Sequence, residues 1–324
     1  MLQTLPLVLF IVMTEVSIGA VSVLVFLDWR NEVKRGFLVS YALIYLVLAG
    51  LTYWFQQSFS TPELLNTYPQ LDKAWTGYQS LPLLLFFLLL IPYSLFLLMD
   101  KTAGVQEKGG AKEGEVVLDA SRKNTPVRVL RLLSGVATVL AGLVTLFVMA
   151  MIYRPLATGS LGGFFTVAGF FAAAFALGGV MTAMWLGHWY LVTPALSERP
   201  LQFSTTLVLV AVAAQVIFFA ISGPASTYAN KTHTSTPAVT AQATPVPSNQ
   251  VKPEGAPVVA PLSPDAISWI RVLVGYIMPL VLGGLAWKLI RDRSFQSATG
   301  MLYLVVVCSL AGEIMARGLF VGGL

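Results

Sequence analysis

Cysteine and histidine are almost absent from this 324-residue chain: Cys308 stands alone, and the two histidines are His188 and His233. A single cysteine excludes an intrachain disulfide and any cluster or metal site built from several thiolates of this chain. With His233 in a Thr/Pro-rich stretch, His188 is left by itself, so haem held by two histidines within a membrane is excluded, as is a conventional metal site. Charged residues make up only 11% of the chain, and it has no phosphate-cradling Gly-Lys loop, metalloprotease His pair or serine elbow. Soluble catalysis is therefore not expected. Nor is nucleic-acid binding, because the net charge of +5 is carried by basic residues that first have to be read as topology signals.

What the chain has in abundance is apolar sequence, 56% of residues, gathered in long unbroken runs. A hydrocarbon core of ~30 Å takes about 20 apolar residues of helix. Eight runs reach that length, at roughly 5–27, 36–57, 81–99, 129–153, 161–187, 203–222, 267–289 and 297–320. The expected fold is an all-α integral membrane protein, a bundle of about eight transmembrane helices forming one membrane domain over residues 1–324, with the lipid bilayer as its surroundings. The first run has no basic stretch before it and no small-residue cleavage site, so it reads as a retained helix. Fourteen of the 20 lysines and arginines, from Arg30, Lys34 and Arg35 to Lys288, Arg291 and Arg293, fall on one side, whereas Lys73, Arg154, Lys231 and Lys252 fall on the other. By the positive-inside rule both termini are then expected outside, in a cell membrane, with the bacterial cytoplasmic membrane the expected location.

Two stretches between runs lack apolar periodicity. Residues 101–126, rich in Gly, Lys and Glu, read as a flexible cytoplasmic loop, and 223–264, rich in Thr, Pro, Ala and Ser, as an external disordered segment. Asn230-Lys231-Thr232 in the latter fits a glycosylation tripeptide, a pattern frequent by chance. Ser263-Pro264-Asp265 marks a helix start, with a cap oxygen, a proline whose missing N–H costs nothing there, and a negative charge at the positive helix end. Pro92 and Pro279 lie inside apolar runs and are expected to kink them. Gly162, Gly163, Gly169, Gly178 and Gly179 suggest a close packing face. No internal repeat is evident in the sequence.

Ionisable groups within a bilayer cost at least ~2.5 kcal/mol at its centre, so each is a candidate for function. Glu15 lies midway along the first run. Glu313 and Arg317, four residues apart in the last run, share a helix face and can pair. Arg271 lies one to two turns inside the seventh run, Arg154 closes the fourth, and Gln56 and Gln57 end the second. With the termini outside, all of these fall in the outer half, suggesting a polar pocket open to that leaflet. The alternative is that Glu313 and Arg317 neutralise each other as packing glue while Arg271 and Arg154 reach for the interface. His188 sits with Trp185, Trp189 and Tyr190 at the other end of the fifth run, where an aromatic belt accounts for the rings and His188 is a candidate proton acceptor or quinone hydrogen-bond donor.

The first run, LPLVLFIVMTEVSIGAVSVLVFLDW, and LAGEIMARGLF in the last resemble the first and last helices of membrane anchor subunits of DMSO reductase-type enzymes, in the wider polysulfide reductase (NrfD-like) group. The resemblance implies a haem-free, quinone-interacting anchor that passes electrons between menaquinol and an iron–sulfur subunit, with a catalytic subunit, on its external face. On that reading Glu15 or Glu313 takes the quinol proton, Arg271 or Arg317 orients a quinone oxygen, and Gln56 and His188 are further quinone contacts. The sequence departs from such anchors in lacking a histidine in its second and third runs and in carrying Glu15 where a neutral polar residue is expected. The other class of function open to this sequence is a non-redox membrane protein, either a transporter or a structural subunit.

Overall fold

A computed structural model of the chain describes residues 4–101, 103–105, 125–157, 161–193, 197–222 and 264–322. The 101–126 and 223–264 loops lie, apart from their ends, outside the described residues. Eight long helices, all apolar and long enough to cross a membrane, make up the rest: α1 Leu5–Arg30, α2 Arg35–Phe59, α3 Ser80–Met99, α4 Pro126–Tyr153, α5 Gly162–Val192, α6 Arg199–Ser222, α7 and α8 Phe295–Val321. The helix α7 is composite, running Pro264–Val272, then a π-helical turn Leu273–Ile277, then Met278–Arg291. Among the described residues there is no strand.

Local chemistry sets the helix ends. Thr125 caps α4, its hydroxyl accepting from the Arg128 amide at 3.4 Å, and Pro126 follows at the first helical position, so α4 starts three residues before its apolar run. Asn31 ends α1 in the left-handed conformation, φ 56°, and its side chain accepts from the Gly104 amide at 2.9 Å, tying two loops together. Gly104 itself has φ 74° and packs so closely on Val33 and Arg35 that a side chain has no room there. The α7 proline, Pro279, directly follows the π turn, in which the Met278 amide reaches back to the Leu273 carbonyl. By contrast, α3 passes through Pro92 without interruption. Between α2 and α3, two short helical turns, Pro62–Leu65 and Lys73–Thr76, fold over the helix ends with Leu65, Leu71 and Thr76 buried, and the Asp72 amide donates to the Ile152 carbonyl of α4 at 3.0 Å.

The packing has an order that the sequence did not reveal. Helices α1 to α4 close a ring, with α1 on α2, α2 on α3, α3 on α4 and α4 back on α1; α5 to α8 close a second ring in the same sequence of pairs. The rings are joined most extensively by α1 with α5, α1 with α8, and α4 with α5. Exchanging the two halves maps these contacts onto one another, so the molecule is a repeat of two four-helix bundles with α1 and α5 as equivalent central helices. Side chains follow the same exchange, since Tyr41 of α2 hydrogen-bonds Thr182 of α5 at 2.8 Å while Phe203 of α6 stacks on Phe26 of α1.

At the centre α1 and α5 touch backbone to backbone. A side chain at Gly178 would stand 2.1 Å from the Gly19 carbonyl carbon, and one at Gly19 would run into the Ala174 carbonyl oxygen. Only glycine allows this approach, which gains close dispersion contact where lipid offers no hydrophobic driving force. Gly178→Val is expected to force the bundles apart and destabilise the protein by at least ~1–3 kcal/mol. Gly169→Ala, on the same helix with open space around it, should leave stability unchanged. Thermal unfolding in detergent followed by tryptophan fluorescence measures both, and equal Tm values for the two variants would contradict this account.

Candidate functional site

Polar side chains collect where the bundles meet, between the first half of α1 and the last turns of α8. Glu15 projects from the middle of α1 and is fully buried, and Arg317 of α8 donates to its Oε1. The same guanidinium pairs with Glu313, Nε to Oε1 at 2.8 Å, one turn back along α8. Gln215 of α6 donates to the other Glu313 oxygen at 3.3 Å. Beneath this group the guanidinium carbon of Arg317 lies 3.9 Å from the centre of the Phe170 ring on α5, a cation–π contact in a desolvated setting. One guanidinium thus sits between two carboxylates drawn from helices at opposite ends of the chain. Among the described residues Glu15 Oε2 is buried and has no hydrogen-bond partner, leaving an acceptor unused.

Other expected site residues lie at increasing distance from this group. Arg271, ahead of the π turn in α7, donates to the Tyr276 hydroxyl at 2.7 Å and lies over the Phe219 and Tyr276 rings. The π turn brings Gly275 against Gly312, the neighbour of Glu313, so α7 approaches the ionic group closely. Gln56 is buried in the first bundle, its amide donating to Ser80 at 3.2 Å, while Gln57 is exposed. Arg154 pairs with Asp72 at 3.7 Å on the surface. His188 is exposed near the far end of α5 and does not join the group, and Trp189 beside it packs on Phe37. Among the described residues, no cluster of three His, Cys, Asp or Glu side chains is placed to hold a metal ion.

A second buried ionic group lies at the opposite end of α1, and the sequence reading did not anticipate it. Arg131 of α4, only 1% exposed, binds Asp28 of α1 at 3.0 Å and Asp100 at 2.7 Å. Tyr93 of α3 donates to Asp28 at 3.3 Å, and Arg35 of α2 donates to the Asp100 and Leu98 carbonyls at 3.1 and 2.6 Å. Every helix of the first bundle contributes to this knot. Arg131 reads from sequence as a surface topology charge because it stands near the start of its helix; the signal that points to burial is Asp28, an acid directly after the first apolar run. Gln215, the lone amide within the sixth run, carried the same kind of signal for the other group.

Protein-family models, curated sequences and solved structures were compared with the chain, and none matches it. The fold and its two ionic knots define a polytopic α-helical membrane protein built as a repeated four-helix bundle. Truncating one partner of a buried ion pair strands the other, at a cost of ~3–5 kcal/mol. Arg131→Leu is therefore expected to destabilise the protein by that amount, and adding Asp28→Asn and Asp100→Asn to the same chain should recover most of the loss. Chemical denaturation in detergent reads both changes; a triple variant no more stable than Arg131→Leu would argue against the ion pairing as the cause.

Proposed function

We propose that this chain is the haem-free, quinol-interacting membrane anchor of a respiratory oxidoreductase complex. In this reading it lies in a bacterial cytoplasmic membrane with its termini outside and passes electrons between menaquinol and an iron–sulfur subunit docked on the outer face. The observation that carries the proposal is the Glu15 carboxylate, held by Arg317 at the bundle seam with one oxygen buried and, among the described residues, unpartnered. A quinol, when bound, supplies two electrons and two protons from its ring hydroxyls. Such a donor needs an acceptor for each proton in a site screened from bulk water, and the free Glu15 oxygen offers one. Arg317 holds the carboxylate in place, and its contact with Glu313 and Phe170 keeps the guanidinium from turning away. Gln215 fixes the second carboxylate, and Arg271 on Tyr276 stands one helix away as a further donor toward a quinone oxygen.

The repeated bundles favour a second reading, because many transporters are built from structural repeats, some related by an axis along the membrane normal. In that case the same charged group would bind a transported solute or proton with no redox partner.

Affinity purification of the full chain from its native membrane separates the two. The anchor reading expects an iron–sulfur protein to co-purify. It also expects Glu15→Gln to lower menaquinol oxidation by roughly 10²–10⁴-fold, the usual contribution of a positioned proton acceptor, with the complex still assembled. A chain that purifies alone and drives solute uptake in vesicles would sink the anchor reading and establish the transporter.

A further inference from the structure

Close to the Glu15 group, the first bundle holds a run of neutral polar side chains whose hydrogen bonding is incomplete. Gln56, Ser60, Gln79 and Tyr153 are all fully buried. They fall in two links, the Gln56 amide on Ser80 at 3.2 Å, and the Gln79 amide on Ser60 at 3.5 Å with the Tyr153 hydroxyl facing Ser60, and the links adjoin where Gln79 and Ser80 are neighbours in the chain. Yet among the described residues Gln56 Oε1, Gln79 Oε1 and the Tyr153 hydroxyl are each buried without a completed hydrogen bond. Buried polar atoms are seldom left so, and several converging in one place call for small occupants that both donate and accept. Water has that chemistry.

One end of this set meets the ionic group. The Tyr153 ring stacks on Phe170, centroids 6.1 Å apart and planes 12° from parallel, and Phe170 is the ring that Arg317 covers. At the other end Ser80, at the start of α3, is partly exposed, and the 62–76 turns fold over the set with Asp72 tied to the end of α4. The geometry points to a hydrated proton relay, running from the Glu15–Arg317 group past Tyr153 and Ser60 to Gln79, Gln56 and Ser80, and opening on the face that carries the termini. This rests on the quinol reading above. There, oxidation of one quinol gives one quinone, two electrons that pass to the iron–sulfur partner, and two protons; Glu15 takes up the two protons in turn, the relay returning the first to water before the second is taken up. Tyr153 passes protons by accepting through its oxygen as it donates its own hydrogen, while the glutamine carbonyls hold the intervening waters in line.

Two measurements test the relay. In X-ray hydroxyl-radical labelling of the purified full-length protein with any co-purifying subunits and no quinol, Tyr153 is expected to label at least tenfold faster than Tyr41 and Tyr45. Those two are equally buried, but their hydroxyls are engaged with each other and with Thr182. Tyr153 labelling no faster than Tyr41 overturns the relay whatever the protein does with quinol. In the second measurement, the complex is reconstituted in vesicles with a pH dye on the face of the termini and turned over once with a menaquinol analogue. Tyr153→Phe and Gln79→Met, each removing polar atoms with little change of shape, are expected to slow proton appearance about tenfold and to raise the solvent isotope effect, with analogue binding unchanged. Proton release at the unmodified rate in both variants overturns the relay while leaving quinol oxidation standing. Unmodified protein inert toward quinol, even with its iron–sulfur partner bound, overturns the quinol reading and the relay's role with it.

Discussion

The contact on which the rest of the molecule depends is the crossing of α1 and α5 at Gly19 and Gly178. In a bilayer, helices gain little from leaving lipid for one another unless their backbones come close enough for many short contacts. Here the two central helices touch through main-chain atoms, and the other six arrange themselves as two rings around that axis. The same approach fixes where side chains on neighbouring turns go. Glu15, one turn from Gly19, is carried into the seam against α8, and Phe170, two turns from Gly178, becomes the surface on which Arg317 rests.

Buried charge imposes a second constraint, which the protein meets twice. An ionised side chain out of reach of water needs a partner of opposite charge, and each knot supplies it with one guanidinium gripping two carboxylates. The fork of arginine suits this role because it presents several donors in a fixed plane and does not lose its proton. Both knots draw on α1, through Glu15 at one level and Asp28 at another. Helix α1 is in turn more enclosed by protein than any other span, and it has the bundle partners those acids need.

How far the sequence revealed this depended on the range of each interaction. Apolar runs located all eight spans to within a few residues, with the discrepancies at caps such as Thr125-Pro126, whose polar residues lie outside the run but inside the helix. The Glu313–Arg317 pair was legible because both residues ride on one helix at a spacing that helical geometry brings together. The Glu15–Arg317 contact was not, since it joins residues 302 positions apart and depends on which helices become neighbours. The inward turn of Arg131 was hidden for a related reason: at the end of a span, a basic residue that snorkels to water and one that turns inward onto two acids look alike. The repeat of the bundles was invisible because lipid-facing positions accept almost any apolar side chain, so two halves can keep one packing scheme with little shared sequence. Gln79 and Tyr153 stand at the ends of spans, where the sequence alone does not distinguish a buried polar side chain from one at an interface.

The exchange of α1 with α5 also pairs α4 with α8, and these are the two helices that supply the arginines. On α4 the arginine comes near the beginning of the helix, on the face opposite the termini; on α8 it comes near the end, on the face that carries them. A framework that looks the same from either half has therefore been charged differently at its two mouths. Geometry alone would leave the two halves equivalent. The placement of two guanidinium groups tells them apart, and a charge approaching the protein meets a different electrostatic potential in each half.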